Sequence, residues 1–369
     1  MKFLKVNVSY ITLLIIFTVI LGVSTLIESC KKNDTSISSQ IVGTPLTLKI
    51  PAGFPRPDYT FQNNPLTEEG FELGRKLFYD GNLSADGNFP CASCHQQFAA
   101  FSTYEHPFSH GYNNSFTTRN APALFNEAWQ KEFHLDGGIN HIEVQPLAPL
   151  TAHNEMNETI ENVVNKIKND TSYTRMFKRA FGDKEVTSQR ILKALAQFTC
   201  SLVSANSKYD KVMRGEATFL SYEQTGYELF QEHCSTCHKE PMFTDYSYRN
   251  IGLPVDPTIN DVGRMRITNN PADSLKFKVP SLRNVAVSPP YMHDGRFWFL
   301  SNCINHYRTG IQLSPTLDSS LQKGIQLTDV EVQDLIAFLR TLTDTAFITN
   351  PRFADPEHKP IFSPDVHNF

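Results

Sequence analysis

Apolar residues recur at helical spacing in two places along the chain, each ahead of a short cysteine-rich segment. The pattern runs through residues 66–78 and returns through residues 221–230. A period of three to four residues predicts an amphipathic helix at each place. Each helix would lead the chain towards the cysteines that follow it.

The remaining pattern is also helical. Residues 158–180 and 188–203 carry apolar positions at the same period, and Thr328 with Glu331 forms a capping box ahead of a last amphipathic helix that runs to Leu342. Alternating strand patterns are scarce, while Pro and Gly punctuate the segments between helices. The sequence therefore predicts a mainly α fold with long ordered loops.

An internal repeat divides the chain. Residues 122–128 match residues 280–286, and each copy is followed at the same distance by an Asp-Gly pair. These pairs are Asp136-Gly137 and Asp294-Gly295. Self-similarity of this kind indicates a duplicated domain. We predict an N-terminal domain over 51–205, a C-terminal domain over 206–350 and a tail over 351–369.

The N-terminus predicts export. Lys2 and Lys5 precede an uncharged apolar run over 10–27, and Cys30 follows, in a segment that resembles a bacterial lipoprotein cleavage box. We predict a signal peptide over 1–29, a lipidated Cys30, a flexible tether over 30–50 and a periplasmic protein held at the membrane. An uncleaved anchor and a soluble periplasmic product are the alternatives.

The composition and charge of the chain limit the kinds of partner that it can bind. The chain has 369 residues, a formal net charge of −4 and an isoelectric point of about 6.3. Nucleic-acid binding favours clustered Lys and Arg, which the chain lacks. We therefore expect no nucleic-acid partner.

The two cysteine-rich segments carry the chemistry. Both have the pattern Cys-x-x-Cys-His, and their residues are Cys91, Cys94 and His95 in the first and Cys234, Cys237 and His238 in the second. In this pattern the thiols bind the vinyl groups of a c-type haem and the adjacent His is a ligand of the iron. A redox dithiol or a zinc site would not require a His after each pair. The sequence predicts two haem c groups.

Two further cysteines, Cys200 and Cys303, lie in apolar contexts. They could be buried thiols or a disulfide, and the sequence does not choose between these.

The chain resembles the dihaem cytochrome c peroxidase family, which includes MauG. The resemblance runs from about Leu66 to Leu342, and the segments that carry it are both Cys-x-x-Cys-His motifs, 118–122, Gln145, 154–156, 280–284 and 290–295. It implies two cytochrome c-like domains in tandem. It also implies that the N-terminal haem reacts with peroxide and that the C-terminal haem receives electrons.

The resemblance assigns the reactive side chains. In the family a Gln and a Glu ten residues apart lie over the peroxide-reacting iron, and Gln145 and Glu155 match them. A carboxylate can move a proton from one peroxide oxygen to the other, and an amide can orient the peroxide. We expect Glu155 to be the acid/base and Gln145 the positioning group.

The resemblance also implies further metal ligands. His110, with His106 as a second choice, falls where many relatives carry a loop His that binds the first iron at rest. Tyr307 matches the position of the axial ligand of the second haem. MauG also has Tyr at this position, whereas peroxidases generally have Met. His306 is the alternative ligand. Asn120, Ser288 and Pro290 match residues that hold Ca²⁺ between the domains in the family.

One family feature is absent. Leu135, which follows His134, occupies the slot where the family often places a tryptophan between the haems. Trp129 lies nearby, and we expect it to be a core residue.

These inferences predict a peroxidase that reduces H₂O₂ with electrons from a small cytochrome c or cupredoxin, passed from the C-terminal to the N-terminal haem. Two alternatives remain: a MauG-like oxidase acting on a protein or other large substrate, and a dihaem electron carrier without catalysis. A homodimer is also expected from the resemblance.

Overall fold

Helices dominate the structure, as the apolar period predicts. The computed structural model describes residues 41–357. The α-helices are α1 (Glu68–Tyr79), α2 (Cys91–Cys94), α3 (Leu147–Thr151), α4 (Ile160–Lys168), α5 (Thr171–Phe181), α6 (Ser188–Cys200), α7 (Lys208–Met213), α8 (Ser221–His233), α9 (Met265–Thr268), α10 (Leu300–Asn305), α11 (Asp329–Arg340) and α12 (Thr345–Ile348).

Short elements join these helices. A π-helical turn, His306–Gly310, continues α10, and two short strands, β1 (Tyr248–Arg249) and β2 (Phe277–Lys278), pair antiparallel with Tyr248 opposite Lys278. The 3₁₀ segments are Gly81–Leu83, Gln97–Ala99, Tyr112–Asn114, Glu127–Trp129, Pro271–Asp273, Val285–Val287 and Ser319–Leu321.

Side-chain caps explain where the helices begin. The Thr67 side chain caps α1, and Thr328 with Glu331 forms the predicted capping box of α11. The predicted helix over 158–180 is instead two helices, α4 and α5. The break lies at Asp170, whose carboxylate accepts a hydrogen bond from the Ser172 amide and so starts a new helix.

Two crossing helix pairs organise two lobes. Helix α1 packs on α6 and α8 packs on α11. In the N-terminal lobe Phe78 contacts Phe198 with ring centroids 5.1 Å apart, and in the C-terminal lobe Phe230 contacts Phe338 at the same 5.1 Å. All four rings are buried. The predicted duplication is therefore present in the packing.

A glycine permits each crossing. A Cβ at Gly74 would lie 1.9 Å from the Ala194 carbonyl oxygen, and one at Gly226 would lie 2.0 Å from the Asp334 carbonyl oxygen. Such distances are far inside van der Waals contact, so the backbones touch only because no side chain intervenes.

We expect Gly226→Ala to destabilise the C-terminal lobe by about 1–3 kcal/mol, because the added methyl group must push α8 away from α11. Chemical denaturation of the holoprotein measures this free energy of unfolding. Gln224→Ala, on the exposed face of the same helix, is the control and should change it by about 0.5 kcal/mol or less. Equal stability of the two variants would contradict the close crossing.

The joint between the lobes uses repeated residues. Asn126 and Asn284, which correspond in the internal repeat, both have left-handed backbone conformations. Asn126 exchanges two hydrogen bonds with the Ser204 backbone, and the Asn284 amide donates to the Ser204 hydroxyl over 2.9 Å. The chain thus passes from one lobe to the next at Ser204, which makes hydrogen bonds with the repeated Asn of both lobes.

The predicted boundaries need correction at both ends. The predicted tether over 30–50 includes residues that belong to the fold, because the Thr44 amide donates to Glu69 and the Leu46 amide donates to the Leu66 carbonyl. The segment from α12 to Ala354 packs on the N-terminal lobe, although we assigned it to the C-terminal domain and the tail. Phe347 contacts Phe101 at 5.7 Å, and its apolar ring gains more by burial there than in solvent.

Residues 1–40, which include Cys30, and residues 358–369 lie outside the described part of the chain, so the predictions made for them are not tested. Among the residues that the structure describes, no helix has the length and apolar character needed to span a bilayer.

Candidate functional site

The first Cys-x-x-Cys-His motif forms a single helical turn, α2. The His95 amide donates to the Cys91 carbonyl over 3.0 Å, and the Thr103 hydroxyl donates to the Cys94 carbonyl. In the second motif the His238 amide donates to the Cys234 carbonyl over 2.9 Å. The same backbone hydrogen bond therefore closes the turn in both motifs.

The imidazole of each motif is held in one tautomer. Nδ1 of His95 lies 2.9 Å from the Phe101 carbonyl oxygen, and Nδ1 of His238 lies 3.1 Å from both the Phe243 and the Pro280 carbonyl oxygens. A carbonyl only accepts hydrogen bonds, so Nδ1 carries the proton and Nε2 keeps a free lone pair. Burial lowers the pKa of His95 to about 4, which keeps the ring neutral.

Both motifs open onto one cavity of about 720 Å³ between the lobes. His95 and His238 line it. The four motif thiols, Cys91, Cys94, Cys234 and Cys237, are free of disulfides. Free thiols, neutral imidazoles with an available Nε2 and a large shared cavity fit two covalently attached haems.

The structure brings Gln145 and Glu155 to the N-terminal side of this cavity. A tight turn after α3 returns the chain, because the Met156 amide donates to the Pro149 carbonyl. Burial raises the pKa of the Glu155 carboxyl. Burial also raises the pKa of the Cys94 thiol of the first motif, and the charge of Glu155 adds to that shift. Gln145 Nε2 lies 3.4 Å from His134 Nε2.

A loop over residues 104–117 lies against Glu155. The Tyr112 amide donates to the Glu155 carbonyl over 2.7 Å, and a Cβ at Gly111 would lie 2.1 Å from the Asn154 carbonyl oxygen. The loop can approach the backbone of Asn154 and Glu155 this closely only because residue 111 is glycine.

We expect Gly111→Ala to move this loop away from Glu155 and to lower both stability, by about 1–3 kcal/mol, and peroxide turnover. Thermal unfolding and initial rates measure the two effects. Phe116→Ala, an exposed change in the same loop, is the control. A Gly111→Ala protein with normal turnover would contradict the close packing.

His110 does not line the cavity in this conformation. Its ring is exposed and packs against His106 at 5.0 Å and Phe116 at 4.7 Å between centroids. The structure therefore does not bring the expected resting-state ligand to the first motif, because the loop carries its imidazole on the outer surface.

On the C-terminal side the structure separates Tyr307 from its neighbour. Tyr307 lines the cavity, and its pKa is raised by burial and, to a smaller extent, by the charges that the Cys303, Cys234 and Cys237 thiols can carry. His306 instead has Nε2 2.9 Å from the Ile251 carbonyl oxygen and is absent from the lining. Of the two residues, only Tyr307 faces the second motif.

The two unassigned cysteines are separate thiols. Cys200 is buried, whereas Cys303 lines the cavity one helical turn before Tyr307. No disulfide joins them among residues 41–357. Trp129 is a core residue, as expected, and its indole N–H donates to the Pro55 carbonyl.

Charged contacts between the lobes are the functional feature that sequence reasoning missed. Arg119 makes two hydrogen bonds to Asp261 of the C-terminal lobe, of 2.5 and 2.8 Å, and one to Asp136 of its own lobe. The Lys278 ammonium group of the C-terminal lobe donates to the Gln130 side-chain oxygen over 2.6 Å and to the Glu132 carbonyl over 2.7 Å. Arg119 lies in a segment that carries the family resemblance, but nothing in the sequence identifies its partners.

The residues expected to hold calcium lie in the cavity wall. Asn120, Ser288 and Pro290 all line it, and the Asn120 amide donates to the Pro107 carbonyl over 3.2 Å. Neutral oxygens suit Ca²⁺ by type, but the ion takes six to eight ligands. Waters would have to complete the shell.

The comparisons with known proteins agree with this geometry. The family model described as di-haem cytochrome c peroxidase matches residues 68–218, and the model described as cytochrome c matches residues 223–343. The methylamine utilization protein MauG of Methylorubrum extorquens is 33% identical over 312 residues, which cover 83% of this chain and 86% of that protein. The chain belongs to the di-haem cytochrome c peroxidase family.

Two further relatives widen the comparison. Cytochrome c551 peroxidase of Nitrosomonas europaea is 33% identical over 276 residues, covering 74% of this chain and 79% of that protein. A crystal structure of a MauG-like protein associated with microbial copper homeostasis has a TM-score of 0.79 and 32% identity, covering 85% of this chain and all of that one. These relatives confirm the tandem cytochrome c fold and an oxidoreductase of the peroxidase type.

Proposed function

We propose that the protein reduces H₂O₂ to water. The observation that carries the proposal is the partly buried Glu155 carboxyl, whose pKa is raised by burial, in the wall of the cavity that the first motif also lines. A carboxyl in such a place can accept a proton and return it within one turnover. The family's dihaem peroxidases support the same reaction.

In this proposal Cys91 and Cys94 attach one haem and Cys234 and Cys237 the other, with His95 and His238 as iron ligands. When bound, the haems supply one-electron chemistry, the C-terminal haem accepting electrons and the N-terminal haem meeting the peroxide. Glu155 takes a proton from one peroxide oxygen and delivers it to the other. The Gln145 amide orients the substrate, and its contact with His134 fixes the amide.

The electron donor in this proposal is a small cytochrome c or cupredoxin. Export to the periplasm, attachment to the membrane through a lipidated Cys30, a homodimer and a Ca²⁺ held by Asn120, Ser288 and Pro290 remain proposals. The two haem domains over 51–205 and 206–350 also remain proposals. The contacts of Thr44 extend the first domain at its start, and Phe347, which was assigned to the second domain, packs on the first.

Steady-state peroxide consumption tests the proposal directly. The holoprotein is assayed with a panel of reduced small cytochromes and cupredoxins, before and after one-electron reduction of the protein. We expect turnover with at least one donor. A holoprotein with both haems attached that consumes no peroxide with any donor would contradict the proposed reaction.

A second candidate is a MauG-like oxidation of a protein or other large substrate. Tyr307 in the wall of the second haem site supports it, because a phenolate stabilises ferric iron more than a thioether does. The relatives named MauG and MauG-like support it too. Spectra after addition of peroxide distinguish the candidates: a long-lived oxidised state shared by both haems favours this one, and rapid return to the ferric state on adding reduced donor favours the peroxidase.

A dihaem carrier without catalysis is the least supported function. A carrier needs both irons closed to external ligands, whereas membership of a peroxidase family and a partly buried carboxyl, that of Glu155, at the first site favour catalysis. Failure of the semi-reduced protein to bind cyanide would favour the carrier.

A further inference from the structure

A buried network of charged groups crosses the boundary between the lobes. Glu127 and Gln130 belong to the N-terminal lobe, and Lys278 belongs to β2 of the C-terminal lobe. The Gln130 amide donates to Glu127 over 2.6 Å, and the Lys278 ammonium donates to the Gln130 carbonyl oxygen over 2.6 Å. One amide therefore connects a buried carboxyl with a buried ammonium group.

This network forms part of the wall of the haem cavity. All three side chains line it, and Glu127 and Lys278 are only 4% and 9% exposed. The Lys278 backbone amide also donates to the carbonyl of Leu135, at the position that lacks the inter-haem tryptophan. The network thus lies in the wall of the cavity that both motifs line, and the proposed peroxide chemistry does not use it.

We propose that Glu127, Gln130 and Lys278 form a proton-holding site that takes up a proton when a haem in this cavity is reduced. The inference rests on the proposed occupation of the cavity by two haems. It does not require that the protein reacts with peroxide.

The physical reason is charge balance. Reduction adds one negative charge next to a wall that water reaches poorly, and an added negative charge favours the protonated forms of neighbouring groups. Burying a charged carboxyl or ammonium group without full compensation is costly, so both groups in this network are close to changing charge.

The pKa values agree with this geometry. Burial raises the pKa of the Glu127 carboxyl, although the Lys278 charge opposes the shift. Burial lowers the pKa of the Lys278 ammonium group, and the Glu127 charge opposes that shift. Both shifts therefore bring proton exchange closer to neutral pH.

Other titratable groups also face the network. The groups that face Lys278 are Glu132, Asp136 and His134, and those that face Glu127 are the Cys200 thiol of α6 and the Tyr246 hydroxyl. Glu132 already accepts hydrogen bonds from Tyr248 and Arg264. The carboxyl of Glu127 is the group that we expect to take up the proton, since it is buried, its pKa is raised by burial and it accepts one side-chain hydrogen bond, from Gln130.

The step balances in charge and atoms. One electron from the donor redox protein reduces one ferric haem to the ferrous state, and one proton from water binds a Glu127 carboxylate oxygen. The net charge of the cavity is then unchanged. Oxidation of the haem releases the same proton.

Redox titration of the holoprotein between pH 5.5 and 9.5 tests the proposal. We expect the midpoint potential of at least one haem to fall as pH rises in this range. Glu127→Gln and Lys278→Gln should each shrink that dependence, and the double variant should abolish it. Lys276→Gln, a change at a partly exposed lysine two residues from Lys278, is the control and should leave the dependence as in the wild type.

A second measurement needs no variant. Reduction of the unmodified holoprotein in weak buffer with a pH-indicator dye should consume protons together with electrons near pH 7. Potentials that do not vary with pH, no proton uptake, or an unchanged pH dependence in both Gln variants would each overturn the proposal. These readouts involve no peroxide, so they remain informative even if the protein proves not to be a peroxidase.

Discussion

Replacing Glu155 with Gln will lower peroxide turnover by about 10²–10⁴-fold while both haems stay attached. That range is the usual contribution of a positioned acid/base group. Gln keeps the size and polarity of the side chain but cannot move a proton. Initial rates of H₂O₂ consumption measure the loss, and the haem absorption spectrum measures cofactor content.

The pH dependence gives the same prediction a second readout. Glu155 must be ionised to accept a proton, so turnover should fall as pH drops through its pKa. Because burial raises that pKa above the ordinary value of 4.5, the fall should begin at a higher pH than an exposed Glu would give. The acid limb of the profile of kcat/KM should be missing from the residual activity of Glu155→Gln.

Glu158→Gln is the matched control. Glu158 lies three residues further on and is also buried, but its carboxylate pairs with Lys166 over 2.5 Å and does not line the cavity. Its replacement should leave turnover unchanged. Normal turnover in Glu155→Gln would exclude the assigned acid/base role.

The sequence predicts the helices of this fold well because each has a local cause. The apolar period of α1 and α8 and the capping box of α11 are visible in neighbouring residues. The break between α4 and α5 was missed because it depends on one cap at Asp170 within a continuing apolar period. The packing of Phe347 on the N-terminal lobe could not be predicted, since it joins residues more than two hundred positions apart.

In the site, as in the fold, local features could be predicted from the sequence and long-range contacts could not. The Cys-x-x-Cys-His spacing is local, whereas the meeting of Gln145 and Glu155 at the cavity was expected only from the family resemblance. The Arg119 contact with Asp261 and the Lys278 contact with Gln130 join side chains 142 and 148 residues apart. Charged residues are common in any sequence, and only the fold identifies which of them are buried together.

Replacing Tyr307 with Met will raise the potential of the second haem. A phenolate favours ferric iron and a thioether favours ferrous iron, and axial ligands together tune haem potentials over about 0.8 V. We expect a shift that is a substantial fraction of that range. Redox titration of the holoprotein measures it, and the spectrum of the ferric protein should change at the same time.

His306→Gln is the control for Tyr307→Met, because it changes the neighbouring residue and not the proposed ligand. His306 contacts the Ile251 carbonyl and not the cavity, so its replacement should leave the potential and spectrum as in the wild type. If His306→Gln shifts the potential and Tyr307→Met does not, His306 is the ligand and the assignment of Tyr307 is wrong.

If Tyr307→Met raises the potential, it should also shorten the life of the oxidised state that follows peroxide addition, because a second haem that gives up electrons less readily shares oxidation less well. That outcome would make Tyr307 the residue that selects between oxidation of a large substrate and reduction of peroxide by a small donor.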